Sequence, residues 1–214
     1  MSQTENSSTV TARSFSEDEQ FEAYKHVLEV MQDKPVTIRT LDAGGDKLIN
    51  SVELPKLEEK NPLMGMRAVR LSLSFPQIFK TQLRALYKAS VYGNLRIMLP
   101  LITSTEQVTE CLSIIEEVKS ELKAEKIPFN KDVPVVIMIE TAAAAITSDC
   151  LAKTCNFFSI GTNDLTQYTI GVDRENSKVS FLYDEFNLAV LRLIEMTITN
   201  AEKVGIPLSV CGEM

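Results

Sequence analysis

The sequence contains few of the residues that bind zinc and no segment that is apolar enough to enter a membrane. It has one histidine and four cysteines, and no two cysteines form a Cys-x-x-Cys pair, so a zinc site is not expected. No apolar run reaches the about 18 residues that a transmembrane helix needs. The first 16 residues lack the apolar stretch of a secretory signal. These absences predict a cytoplasmic protein, without membrane insertion, whose thiols stay reduced.

Basic residues are outnumbered in this chain of 214 residues. The 22 lysines and arginines face 29 acidic residues, which gives a net charge of −7. Nucleic acid and anionic membrane surfaces are therefore not expected as partners, although a local basic cluster could still hold a small anion. The sequence also has neither a G-x-G-x-x-G loop nor a Walker A loop, which argues against a nucleotide-binding open sheet.

Apolar runs alternate with amphipathic segments through most of the chain. Ser16 and Glu19 have the spacing of a capping box at the start of the first helix. Residues 1–15 have no apolar periodicity and are predicted to be a flexible arm, whereas 16–214 are predicted to form one domain. Strands of continuous apolar character that alternate with helices are typical of a parallel sheet covered by helices. The predicted strands are 36–41, 67–73, 95–99, 133–139, 157–160 and 207–210.

Periodicity does not distinguish a closed barrel from an open α/β sheet, but the polar residues do help. Arg39, Glu140, Asp164 and Cys211 each lie at or just after the end of a different predicted strand. Functional groups at several strand ends favour a TIM (β/α)8 barrel, since an open sheet gathers them at one switch point. A complete barrel usually takes about 250 residues. We therefore expect an incomplete barrel with about six of the eight strands, truncated at both ends.

Two carboxylates are candidates for a magnesium site. Glu140 directly follows one predicted strand, and Asp164 lies in the polar segment after the next. Two such oxygen ligands, with waters and a phosphorylated substrate, are the usual way in which proteins hold Mg²⁺. The alternative is that each residue only caps the helix that follows. That alternative is stronger for Glu140, because Thr141 and a helix come next, than for Asp164, where polar residues are dense.

Several arginines and one cysteine complete the candidate site. Arg39, Arg67 and Arg174 could bind an anion, because a guanidinium fork matches carboxylate and phosphate oxygens, although a single arginine is usually a surface residue. Arg39 is favoured because it interrupts an apolar strand. Cys211 follows the last strand, where a buried structural role and a chemical role are both open. With no histidine nearby, proton donation is the more plausible chemistry.

Longer segments resemble a known family. Residues 157–169, FFSIGTNDLTQYT, with Asp173 and Arg174 beyond them, are similar to the signature of the phosphoenolpyruvate-utilising enzymes. Residues 38–47, IRTLDAGGDK, resemble enzyme I of the bacterial sugar phosphotransferase system rather than pyruvate phosphate dikinase or phosphoenolpyruvate synthase. Residues 61–70 and 95–100 are similar to enzyme I as well. The resemblance extends from about residue 16 to residue 214.

The resemblance implies a phosphoenolpyruvate-binding barrel and a role for each candidate residue. Arg39, Arg67 and Arg174 would hold the phosphate and carboxylate of phosphoenolpyruvate, with help from Asn163. Glu140 and Asp164 would coordinate Mg²⁺, and Cys211 would protonate the enolate carbon as pyruvate forms. In this family a histidine on a separate N-terminal domain accepts the phosphoryl group and passes it to the carrier HPr, and the barrel domain forms a homodimer.

The sequence also departs from the family pattern. The histidine domain is absent, and an ungapped extension places the uncharged Gln3 where the family has another phosphate-binding arginine. Ala142 replaces a usual proline. An alternative is therefore a truncated, non-catalytic relative that serves as a binding or dimerisation module. A dikinase-type or synthase-type domain is a further alternative.

Overall fold

The computed structural model of the chain describes residues 16–43 and 59–214. The predicted arm at 1–15, including Gln3, lies outside the described residues, as do residues 44–58. Five strands are found in the described part: β1 (Val36–Arg39), β2 (Leu95–Leu99), β3 (Val135–Ile139), β4 (Phe157–Gly161) and β5 (Leu208–Cys211). The α-helices there are α1 (Glu17–Met31), α2 (Ala68–Ser74), α3 (Pro76–Ala89), α4 (Thr105–Ala124), α5 (Ala142–Ile146), α6 (Ser148–Leu151), α7 (Thr162–Ile170) and α8 (Leu188–Val204).

The strands form one parallel sheet whose spatial order, β1-β2-β3-β4-β5, is the order along the chain. A doubly wound open sheet would reverse its strand order at a switch point, and this sheet does not. Successive parallel strands joined through helices wind in one direction, as they do in a (β/α) barrel. The five strands form half of such a barrel, so the predicted fold class is confirmed.

The two faces of the sheet differ in character. One face packs against the helices, and its side chains belong to a single apolar core: Leu95, Ile97, Leu99, Val135, Ile137, Ile139, Phe158 and Ile160. Side chains alternate along a strand, so the neighbouring positions point to the opposite face. That face carries Arg39, Met138, Ser159 and Cys211, and the register pairs Met138 with Ser159 and Gly161 with Cys211. The apolar core thus supports a second, more polar face.

The strand predicted at 67–73 is wrong. These residues form most of helix α2, whose buried residues Ala68, Val69, Leu71 and Ser72 follow helical spacing. A short apolar run satisfies both the strand period and the helix period, so periodicity alone cannot assign it. The described residues therefore contain five strands rather than the predicted six.

Two further differences concern helices around the strands. The predicted helix after Thr141 is broken into α5 and α6 at Thr147, whose hydroxyl donates to the carbonyl oxygen of Ala143 at 2.8 Å. Such a bond competes with the backbone ladder and bends helices. Helix α7, which the sequence did not predict, begins at Thr162 directly after β4. None of the helices in the described ranges combines the length and apolarity needed to cross a bilayer.

Candidate active site

A cavity of about 680 Å³ lies at the carboxyl ends of the strands. Every residue that the sequence singled out as a site residue lines it: Arg39, Arg67, Glu140, Asn163, Asp164, Arg174 and Cys211. The carboxyl ends of parallel strands meet at one edge of the sheet, which explains how residues so far apart in the chain converge.

Each side chain reaches the cavity from a defined position in the fold. Arg39 and Cys211 end β1 and β5, and Glu140 directly follows β3. Asp164 lies in the first turn of α7. Arg67 does not come from a strand at all, because it is the residue before α2. The next residue, Ala68, has the left-handed φ of 51°, which turns the chain sharply at the mouth of the site.

Glu140 is buried, with 2% of its surface exposed. Its Oε1 accepts a hydrogen bond from the backbone N–H of Leu101 at 2.5 Å, and Leu101 has a left-handed φ of 54°. The pKa of this carboxyl is raised from 4.5 to about 7. Burial is the main cause, and the charges of Asp164 and Asp42 act in the same direction, whereas the Leu101 N–H and Arg39 oppose the rise. A carboxyl at this pKa exchanges its proton near neutral pH.

Asp164 connects the acidic and the basic parts of the site. One carboxylate oxygen lies 3.2 Å from Nη1 of Arg174, and the other lies 3.9 Å from Nη2 of Arg67. The sequence left open the alternative that Asp164 only caps the helix that follows. The residue before α7 is Gly161, and no side-chain hydrogen bond caps this helix. Asp164 nevertheless sits at the positive end of the helix, which favours its charge.

Glu140 and Asp164 fit a magnesium ion. Their charges repel each other across the cavity, as the raised pKa of Glu140 indicates, and a divalent cation between them would relieve that repulsion. A Cβ atom on Gly161 would lie 3.3 Å from Oε2 of Glu140, so the missing side chain leaves that oxygen room. No group of three or more acidic, histidine or cysteine side chains in the described ranges could hold a metal alone. Mg²⁺ usually takes its remaining ligands from water and substrate phosphate.

Arg67 is held firmly but is not saturated. Its Nη2 lies 2.9 Å from Oδ1 of Asp42, and its Nη1 donates to the hydroxyl of Tyr168 at 3.3 Å. Burial opposes its charge, but the Asp42 carboxylate outweighs that effect and the pKa of Arg67 is raised. Its Nε is buried and has no hydrogen-bond partner among the described residues. Nη1 of Arg174 is also buried and makes no well-aligned hydrogen bond there, although a carboxylate oxygen of Asp164 lies 3.2 Å away. Buried donors without partners are rare, so these two call for an acceptor.

Two residues of the site were missed from the sequence. Asp42 lines the cavity and bonds both Arg39 and Arg67, at 2.9 Å each. Its position three residues after Arg39 is a weak signal in the sequence, because an aspartate that follows a strand is usually a turn residue. Tyr168, within the family-like segment, donates to the carbonyl oxygen of Leu63 at 2.5 Å and accepts from Arg67. No pattern in the sequence distinguishes that tyrosine from a core residue.

Asn163 and Cys211 lie side by side at the β4 and β5 ends. The Asn163 amide oxygen accepts the backbone N–H of Glu213 at 3.0 Å, which leaves its NH₂ group to the cavity. Sγ of Cys211 donates to the carbonyl oxygen of Ile160 at 3.4 Å and lies 3.4 Å from the hydroxyl of Ser159. The thiol is half-buried and lines the cavity.

Among the described residues that line the cavity, acidic groups outnumber basic ones. Three arginines face five carboxylates, which are Asp42, Glu140, Asp164, Asp173 and Glu175. A polyanion alone would meet net repulsion here, whereas a polyanion with a divalent cation matches both sets of charges. The arrangement suits a small phosphorylated acid bound together with a metal ion.

Comparisons with known proteins agree with this chemistry. The model of the family described as PEP-utilising enzyme, PEP-binding domain, matches residues 2–214. Proteins named phosphoenolpyruvate-protein phosphotransferase from Priestia megaterium and Bacillus subtilis are each 49% identical over 199 residues, which cover 93% of this chain and 34% and 35% of theirs. A protein of the same name from Listeria monocytogenes is 48% identical over the same share of the chain. The chain thus spans about a third of the length of these relatives.

A likeness to a solved structure supports the architecture alone. A citrate lyase from Burkholderia xenovorans superposes with a TM-score of 0.50 over 89% of this chain and 50% of its own, at 16% identity. The sequence matches carry more, because they extend over nearly the whole chain and include the strand ends that build the cavity. On these matches, the chain belongs to the family of phosphoenolpyruvate-binding domains of the phosphoenolpyruvate-utilising enzymes.

Proposed function

We propose that this chain binds phosphoenolpyruvate together with Mg²⁺, and that it forms the site from which the phosphoryl group moves to a protein histidine while pyruvate is released. One observation carries the proposal. Arg67 and Arg174 each have a buried guanidinium nitrogen that makes no hydrogen bond to the described residues, and both arginines line the same cavity as the carboxylates of Glu140 and Asp164. A ligand with anionic oxygens and an accompanying cation would satisfy both sets of groups.

The arginines bind and orient the substrate anion. Arg67 offers its buried Nε, and Arg174 offers the N–H groups that its ion pair with Asp164 does not use. The half-exposed Arg39 offers the N–H groups that Asp42 does not use. The free NH₂ group of Asn163 adds a neutral donor beside them. Phosphoryl transfer depends mainly on positioning and on neutralising charge on the transferring oxygens, and fixed guanidinium groups provide both.

Glu140 and Asp164 are the residues that would hold the metal. When it is bound, Mg²⁺ supplies positive charge that polarises the phosphoryl oxygens and stabilises the departing enolate. Cation binding at Asp164 would also compete with its ion pairs to Arg67 and Arg174, at 3.9 and 3.2 Å, and would thereby leave these guanidinium groups to the substrate.

Cys211 donates the proton that converts the enolate to pyruvate. Its thiol lies at the cavity wall and is oriented by the Ile160 carbonyl and the Ser159 hydroxyl. Protonation on carbon makes the transfer hard to reverse, because the enolate is trapped as the keto acid. The thiolate that remains stays beside the Ser159 hydroxyl, which can donate to it.

The phosphoryl acceptor must come from elsewhere. The single histidine of the sequence, His26, is exposed on α1 and is not among the residues that line the cavity. We therefore propose a separate histidine-bearing domain as the acceptor and an HPr-type carrier beyond it, in the cytoplasm, with a homodimer of this domain as the assembly. Adding such a domain should start pyruvate release, and sedimentation should give the mass of a dimer; a monomer would contradict the assembly.

Calorimetry tests the binding proposal directly. Titration with phosphoenolpyruvate should give saturable binding in the presence of Mg²⁺, and affinity at least 10-fold weaker when EDTA removes the cation. Arg174→Ala should weaken binding strongly, whereas Arg192→Ala, which removes an exposed arginine of α8, should not. No binding with Mg²⁺ present would contradict the proposed function.

A further inference from the structure

One carboxylate ties together two of the arginines in the cavity. Oδ2 of Asp42 lies 2.9 Å from Nη1 of Arg39, and Oδ1 lies 2.9 Å from Nη2 of Arg67. The Asp42 side chain is only 8% exposed, and that of Arg67 is 13% exposed. Both oxygens of a buried carboxylate are therefore committed to two guanidinium groups that come from different segments, one from β1 and one from the start of α2.

The bonds to Asp42 leave other donors of both arginines unused. Nε of Arg67 is buried and has no hydrogen-bond partner among the described residues. Among those residues, Nη1 of Arg67 bonds only the hydroxyl of Tyr168. Arg39 also bonds Asp42, but 47% of its side chain is exposed to solvent. A guanidinium has five N–H donors in a fixed fork, so fixing one edge aims the remaining donors.

Two guanidinium groups that converge on one anion repel each other until that anion arrives. Asp42 offsets this repulsion in advance, and its removal would leave the buried Arg67 cation with only the more distant carboxylate of Asp164, at 3.9 Å. A buried acid kept at an anion site, where its field opposes the ligand, needs a compensating role.

We propose that Asp42 is a positioning residue that remains in place during binding and joins Arg39 and Arg67 into one clamp for the substrate anion. The inference rests on the proposed function, since it assigns a role within that same site. It makes a prediction of definite sign. A carboxylate that acted only through its charge would weaken anion binding, and its neutralisation would tighten it. A positioning carboxylate strengthens anion binding, so its neutralisation would weaken that binding.

The first test compares two matched neutralisations in the same cavity. Asp42→Asn should weaken phosphoenolpyruvate binding at least 10-fold by calorimetry with Mg²⁺ present. Asp173→Asn removes an equal charge from the cavity lining, but Asp173 bonds the backbone N–H of Glu175 rather than an arginine. This control should leave affinity unchanged or tighten it up to 3-fold. Tighter binding by the Asp42→Asn protein would overturn the proposal.

The second test is a double-mutant cycle, which a merely structural role would not satisfy. Arg39→Ala should weaken binding at least 30-fold in the wild-type background, but no more than 3-fold when Asp42 is already asparagine. This coupling is expected because an unclamped Arg39 contributes little. Equal losses in the two backgrounds would show that Asp42 does not act through Arg39.

The third test needs no variant and remains decisive if Asp42→Asn fails to fold. A crystal structure of the wild-type chain with phosphoenolpyruvate and Mg²⁺ should retain both Asp42 bonds at about 3 Å. Displacement of Asp42 by the ligand would overturn the proposal. If phosphoenolpyruvate does not bind the wild type, the proposed function fails separately, and the same variants and structure are then examined with inorganic phosphate, which needs only the arginines.

Discussion

Two arginines of similar burial are used in opposite ways in this molecule. Arg84 on α3 is 18% exposed, and all three of its nitrogens are bonded to carboxylates: Nε to Glu17 at 2.8 Å, Nη1 to Glu121 at 3.3 Å and Nη2 to Glu125 at 2.7 Å. Arg67 is 13% exposed, has one carboxylate within 3 Å and keeps a buried Nε without a partner among the described residues. A saturated guanidinium stabilises helix packing, and an unsaturated one retains bonding capacity for a ligand.

The carboxylates repeat this contrast. Bonding to Arg84 lowers the pKa of Glu125, so the charged form of this carboxyl is stabilised. Burial and nearby acids raise the pKa of Glu140 to about 7, so the charged form of this carboxyl is destabilised when no cation is bound. The helix network of α1, α3 and α4 is electrostatically satisfied, whereas the cavity is not. Unsatisfied groups are what a folded chain can offer to a ligand.

Substitution of the two arginines by lysine should separate these uses most sharply. Arg67→Lys should weaken phosphoenolpyruvate affinity by about 100-fold, because an ammonium group cannot bond Asp42 and a ligand from two edges at once. Arg84→Lys should leave affinity within about 2-fold, because the cavity is unaltered. Calorimetry with Mg²⁺ measures both variants. Equal losses of affinity in the two variants would contradict the different roles assigned to Arg67 and Arg84.

Neutralising Glu140 should have opposite effects on metal binding and on stability. Glu140→Gln should weaken Mg²⁺ binding by about 30-fold, since it removes one of two charged ligands. It should also raise the free energy of unfolding of the metal-free protein at pH 8 by about 1–2 kcal/mol, because a buried charge is removed. Titration calorimetry and urea unfolding give the two values. Glu195→Gln, on the exposed side of α8, is the control and should change neither.

The raised pKa of Glu140 predicts how stability depends on pH. Its folded pKa of about 7 exceeds the ordinary 4.5, so the metal-free folded state holds a proton that the unfolded state has released between these values. Stability from this group is complete below about pH 4.5 and is lost as the pH rises through 7, by about 3 kcal/mol. Urea unfolding with EDTA should follow this decline, and Glu140→Gln should abolish it. A decline of equal size in that variant would assign it to other groups.

The smallest effect is expected in the helix network. Arg84→Ala should lower the free energy of unfolding by about 1 kcal/mol, since its partners are partly solvated and such ion pairs are individually weak. Phosphoenolpyruvate affinity should not change. Thermal unfolding at low and high salt measures the loss, which should shrink as salt screens the wild-type network.

The sequence predicted the parts of the site that lie at strand ends. Arg39, Glu140 and Cys211 were found because each interrupts or directly follows an apolar run, and the sheet geometry brings such positions together. Asp42 was missed because an aspartate after a strand is also an ordinary turn residue. Its role depends on Arg67, which is 25 positions away, and spacing along the chain cannot reveal that contact.

The fold was predicted for similar reasons and with similar gaps. Five of the six predicted strands are present, and β1 ends two residues earlier than expected, at Arg39. The segment 67–73 was misassigned because helix and strand periods cannot be distinguished in a run that short. Helix α7 was missed because its first turn is filled with the polar residues of the site and Leu165 is the one apolar residue among those that it buries, so it shows no apolar stripe.

The bond from the Leu101 N–H to Glu140 affects which substitutions are tolerated at position 101. The donor is a main-chain N–H, held at a left-handed φ of 54°. Almost every residue supplies that N–H, so exchange of the side chain at this position changes packing and strain but not which carboxylate oxygen is occupied. Glycine would even relax the backbone, whereas proline would delete the donor. The orientation of the acidic group is thus protected against nearly all point substitutions at its partner.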